Sequence, residues 1–157
     1  MQLNCKMFFE SFSSDSKVWI FQSNRNFTYQ EIDFIQSELT LFLSHWNAHG
    51  KDLLADFLII ENNFIVVAVD ETKSLVSGCS IDKLVHQIKK IGIDLKINFF
   101  NRLSVLIKKD DELKRIQFSD LKDYEDWSIF NTSITEIIVF RNSFLEPVKS
   151  YLQTYSC

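Results

Sequence analysis

Ser77-Gly78-Cys79-Ser80 is the stretch whose residue types most invite chemistry. A thiol at the start of a helix faces backbone amides with no intrahelical partner, and such amides favour the thiolate. A nucleophilic Cys also needs a base. His49, oriented by Asp70 or Glu71, supplies one if the loops that carry these residues converge. On this reading the catalytic set is Cys79, His49, Asp70 and Glu71, and Ser77, Gly78, Ser80 and Arg102 line the same cleft as binding residues. The plainer reading is preferred: a small apolar Cys buried in a strand-to-helix joint and protected from reagents until the chain unfolds.

Two other constellations carry weaker chemistry. His45 and His49 have the i, i+4 spacing that puts two imidazoles on one helix face, and Asp70 and Glu71 are the carboxylates that would complete a metal-dependent hydrolase. No His-Glu-x-x-His motif accompanies them, so a helix-terminal His bonded to the last carbonyls is the expectation, and no metal or cofactor is assigned. Trp19 and Phe21 share one face of a short strand, as base-stacking aromatics do in RNA-recognition sheets. The strand that would have to cooperate, residues 64–69, lacks the aromatic and Gly pattern of that motif, and nucleic acid is not an expected partner.

The elements that must position these residues are legible around residues 55–92. Phe64-Ile65-Val66-Val67-Ala68-Val69 is an unbroken apolar run rich in β-branched residues, the pattern of a strand buried on both faces. Residues 55–60 form a second strand, joined to it by a hairpin turn at Glu61-Asn62-Asn63. Ser80 reads as the cap of a helix whose apolar stripe is Ile81, Leu84, Val85, Ile88 and Ile91, with Gly92 ending it. Lys83, Lys89 and Lys90 read as its solvated face.

Upstream, residues 18–21 are a strand, and Thr28 followed by Glu31 is a capping-box pair opening a long helix that carries Ile32, Ile35, Leu39, Phe42 and Trp46. Downstream, residues 103–107 and 113–118 are strands around a charged turn, 119–127 a short helix, 134–140 an extended segment and 144–155 a terminal helix with Pro147 in its first turn. Residues 1–16 begin as a loose segment. The order strand, helix, strand, strand, helix, strand predicts an α+β fold with a ferredoxin-like βαββαβ core over about 17–118 and an extension over about 119–157, in a single domain. Both helices would then cover one face of the sheet. The other apolar face requires the C-terminal segment, a second copy of the chain, a protein partner or a ligand.

Composition bounds the classes. The chain has 157 residues, 46% of them hydrophobic, with 15 Phe, one Pro and three Gly, which suits a folded domain rather than a disordered one. Its formal net charge of -4 gives no basic footprint for nucleic acid or an anionic membrane. Apolar runs stop far short of the ~20 residues that span a bilayer, and no charged lead with an apolar stretch opens the chain. Three cysteines, Cys5, Cys79 and Cys157, cannot all pair among themselves. A cytoplasmic protein without a disulfide framework is expected.

Four segments, Lys17-Val18-Trp19-Ile20-Phe21-Gln22, His45-Trp46-Asn47-Ala48-His49-Gly50, Val67-Ala68-Val69-Asp70-Glu71 and Ser77-Gly78-Cys79-Ser80-Ile81-Asp82, resemble a group of short Bacteroidetes-type bacterial proteins often labelled ABC transporter ATPases. The resemblance covers roughly residues 7–109 and implies no activity or site residues. Its label fails a physical test. Phosphate cradling needs G-x-x-x-x-G-K-[ST], and Gly50, Gly78 and Gly92 cannot supply it. The function expected is therefore a small binding or interaction module acting through the second sheet face, with the Cys79 enzyme as the alternative and the metal-dependent hydrolase third; the small-molecule ligand is undefined.

Overall fold

The computed structural model describes residues 5–155. A 3₁₀ turn, Cys5–Met7, precedes β1 (Lys17–Gln22) and α1 (Tyr29–His45). A small hairpin of β2 (Asn47–Ala48) and β3 (Lys51–Asp52) leads into the longer hairpin of β4 (Leu54–Ile60) and β5 (Phe64–Asp70), and α2 (Gly78–Leu95) follows. Next come β6 (Ser104–Lys109), β7 (Glu112–Gln117) and a 3₁₀ helix, Phe118–Tyr124. The chain closes with β8 (Ser128–Phe130), α3 (Ile137–Ser143), β9 (Leu145–Pro147) and α4 (Val148–Tyr155). The fold is mixed α+β, with antiparallel sheets ordered β1-β5-β4 and β7-β6-β8-β9.

β5 is buried along its whole length, as its sequence requires. Its side chains divide with period two. Ile65, Val67 and Val69 meet α1 and α2 through Ile35, Leu39, Leu84 and Ile88, whereas Phe64, Val66 and Ala68 meet Phe9, Phe12, Phe130, Phe140 and Phe144 on the other face. The second face is thus filled from within the chain. Residues 8–12, expected to be loose, supply aromatic cover, and Arg141 on α3 fixes them by donating to the carbonyls of Phe8 (3.3 Å), Phe9 and Phe12 (3.2 Å).

The first three strands take the expected spatial order, first, third, second. The fourth does not join them. β6 is the central partner of β7 and β8 in the other sheet, and at one end of the free edge of β1 the Val18 N–H donates to Thr135 O (3.0 Å) while Lys17 bridges Glu136. The reason is visible in β6 itself. Leu106 packs toward the Phe64 cluster and the adjacent Ile107 toward Ile116, Leu121, Ile129 and Val148, so both of its faces are claimed by the C-terminal segment. That segment is built into the core.

Local chemistry sets the element ends. Thr28 and Glu31 form the expected capping box, and Arg25 binds both Glu31 carboxylate oxygens (2.9 and 2.7 Å). Glu61 and Asn62 take positive φ (53° and 52°) in the β4–β5 turn. Four expectations need correction, the first being the terminal helix, which starts at Val148 because Leu145–Pro147 pair with β8, so that Pro147 ends a strand. The second helix is capped by Ser77, whose hydroxyl accepts from Ser80 N–H (3.2 Å) while Ser80 Oγ accepts from Ser77 N–H (2.8 Å), so the helix starts before Ser80. It also runs past Gly92 to a left-handed cap at Lys96 (φ 55°). Residues 137–143 are helical rather than extended, because Ile137, Phe140 and Phe144 must share one buried face.

Candidate functional site

Asp70 ends β5 and is 4% exposed. Its carboxylate accepts from Ser13 N–H (3.1 Å), Ser13 Oγ (3.4 Å) and Thr72 N–H (3.0 Å). Burial pushes its pKa up, but the Thr72 and Ser13 hydrogen bonds outweigh burial and hold it below the usual value. It clamps the N-terminal segment onto the sheet and leaves little capacity to orient a base. Glu71 accepts from Val76 N–H (3.0 Å), which folds the loop that enters α2. Both acids are therefore engaged by the backbone around them.

Cys79 is exposed, against the expectation of a buried filler. With Ser77 as cap, Ser80 turns inward to join Leu84, Ile88 and Ile91, and Cys79 falls on the polar stripe with Asp82, Lys83 and His86. Ser80 is buried, and its carbonyl accepts from Trp46 Nε1 (2.8 Å), which ties the end of α1 to the start of α2. Ser77 and Ser80 are thus cap and joint. Gly78 has open space where a Cβ would stand.

α1 stops at His45, whose Nδ1 lies 2.8 Å from Ser44 Oγ and 3.2 Å from Leu41 O. His49 instead sits at φ 52° beside Gly50 (φ 78°) in the β2–β3 turn, so the two imidazoles do not share a helix face. No group of three or more His, Cys, Asp or Glu able to hold a metal occurs among the described residues. Nor, among them, is any base hydrogen-bonded to the Cys79 thiol. Among the described residues no hydrogen bond links Cys79, His49, Asp70 and Glu71 to one another. Cys5, by contrast, is buried, and burial pushes its thiol up to about 12.

Arg102 lies elsewhere. α2 has 18 residues, about 27 Å of helix, and Arg102 follows its far end. Trp19 and Phe21 face the helices, Trp19 edge-on to Trp46 (6.2 Å) and Phe21 edge-on to Phe100 (6.1 Å), so neither is free to stack on a base.

At that far end an open concavity of about 430 Å³ is lined by Ile88, Gly92, Ile93, Ile97, Phe99 and Phe100, with Asn24, Asn98, Lys89 and Lys96 around them. Gly92 makes it. A Cβ there would lie 2.6 Å from Ile97 O, so only glycine lets the chain after α2 fold back so closely, with Ile97 N–H donating to Gly92 O (2.8 Å). Asn24 Oδ1 accepts from Asn98 N–H (2.9 Å), and Arg25 donates to Leu95 O (2.8 Å), pinning both walls. Asn24 also borders a polar groove of about 580 Å³ containing Lys114, Arg115 and Tyr124. Arg115 donates to Ser23 O (2.7 Å) and Asn63 Oδ1, and burial lowers its pKa. None of these cleft residues was singled out as a site from the sequence; the available signal was a glycine inside an apolar helical stripe followed by Phe99-Phe100 between asparagines.

Comparison with protein-family models, with curated proteins and with solved structures yields no match.

Proposed function

We propose that this chain is a small binding module whose recognition site is the cleft at the C-terminal end of α2. One observation carries the reading. Both faces of the β1-β5-β4 sheet are filled from within the chain, while Ile93 (78% exposed) and Phe100 (41% exposed) remain open around a concavity of the size that small ligands occupy. The ligand rather than a catalysed reaction is the point of the site, since its lining carries no acid, His or Cys. No helix among the described residues is long and apolar enough to cross a membrane. The free thiols Cys5 and Cys79 support a cytoplasmic setting. The β1-β5-β4 order with two helices on one face supports part of a ferredoxin-like arrangement, whose fourth strand is here in the other sheet.

Isoleucine δ1-methyl NMR with 1-octanol as probe tests the site. Shifts should concentrate at Ile88, Ile93 and Ile97 and vanish in Ile93→Trp, an exposed substitution that fills the cleft. Shifts centred instead on Ile32 and Ile59, which border a groove between α1 and β4, or shifts indifferent to Ile93→Trp, would refute the assignment.

A further inference from the structure

We infer that the cleft takes an amphipathic monoanion, an acyl or aryl carboxylate whose apolar body lies against Ile88, Ile93 and Phe100 and whose carboxylate meets Lys89 and Lys96. This rests on the proposed binding role of the cleft. The lining holds two lysines and no acid, in a chain of net charge -4. Asp94, the acid nearest in sequence, does not line it. Among the described residues neither lysine has a carboxylate partner, although Lys90, one position along, lies 3.6 Å from Glu38. Lys89 Nζ is instead held 5.5 Å from the centroid of the Phe100 ring. A ring face engages one side of an ammonium and leaves donors free, so the charge stands at the cleft wall with hydrogen-bonding capacity to spare.

One effect opposes an anion here, the partial negative charge of a helix C-terminus. It is largely answered within the protein. Gly92 O accepts from Ile97 and Lys96 N–H, Ile93 O accepts from Lys96 N–H (3.3 Å), and Leu95 O accepts from the Arg25 guanidinium (2.8 Å). Two ammonium groups on flexible stems beside an apolar floor suit a single carboxylate. A phosphate would be expected to recruit a bidentate guanidinium or a run of backbone amides, and the lining includes no arginine.

The test compares octanoate with 1-octanol, which share a chain and differ in charge, by isoleucine δ1-methyl titration of the full chain, of Lys89→Gln/Lys96→Gln and of the control Lys83→Gln. Lys83 is exposed on α2 outside the cleft. Octanoate should bind about tenfold tighter than octanol, as expected when charge-assisted hydrogen bonds form at the cleft mouth. The double variant should lose the octanoate preference, and Lys83→Gln should keep it. Equal affinities in the native protein, or a preference that survives the double variant, overturn the anion inference while octanol binding leaves the cleft standing. Failure of both probes to move Ile88, Ile93 and Ile97, or a dimer in sedimentation that buries these methyls, overturns the cleft reading as well.

Discussion

The two ends of α2 differ in what their side chains have left to offer. At the N-terminal end stand the residues with chemical potential, Cys79, His49, Asp70 and Glu71, but the acids are bonded to backbone amides, the His occupies a turn and, among the described residues, no base is hydrogen-bonded to the thiol. At the C-terminal end stand Gly92, Ile93, Phe99 and Phe100 with Lys89 and Lys96, and no acid, His or Cys in the lining, around open space. A reactive residue type is informative only when its hydrogen-bonding capacity is unspent. Here the fold uses the acids as clamps, and recognition falls to shape and charge.

The sharpest way to break this contrast is at Asp70. Asp70→Ala should destabilise the protein by about 2–4 kcal/mol in urea denaturation, because the Ser13 and Thr72 amides lose a charged acceptor in a buried site. A loss below ~0.5 kcal/mol would return Asp70 to the pool of spare, functional acids. Gly92→Ala is expected to cost about 1–3 kcal/mol and to abolish octanol binding, since the new Cβ must push Ile97 O away. Retained binding would mean that the cleft does not depend on the close turn.

Acid should act on the same clamps. Glu31, bound by Arg25 and by the Thr28 N–H, has its pKa lowered from an ordinary 4.5 to about 2, and Asp70 is lowered too. Between these two values the unfolded chain takes up a proton that the folded chain refuses, so this contribution is complete above about pH 4.5 and fades as pH falls toward 2. Glu31→Gln should flatten the decline of Tm with pH over that window; an unchanged slope would show that the Arg25–Glu31 pair contributes little. The smallest effect belongs to Cys79. Cys79→Ser should change stability by less than about 0.5 kcal/mol, as for an exposed site. Iodoacetamide should alkylate the folded protein there at a rate that His49→Ala leaves unchanged, and slowing by that variant would revive the enzyme reading.

Much of this was written plainly in the chain. The apolar run 64–69, the Thr28–Glu31 pair and the Glu61-Asn62 turn each act through neighbours in sequence, and each formed as its local chemistry demands. The exposure of Cys79 is also readable, since it falls three and four residues before Asp82 and Lys83 on one helical stripe, provided that the helix is capped by Ser77 and not by Ser80. An extended reading of 134–140 misses α3, although the spacing of Ile137, Phe140 and Phe144 is helical. The placement of β6 depends on what the C-terminal segment packs against, and the cleft on how closely the chain after α2 approaches Gly92. Both are tertiary facts with no local signature.

A single octanoate titration, read at both ends of α2 at once, weighs the central claim most directly. The Ile88, Ile93 and Ile97 methyls should move with one saturable affinity while Ile81, two residues from Cys79 in the first turn of α2, stays fixed. Movement of Ile81 with a silent Ile93 would contradict it and place recognition at the end where the reactive residues lie.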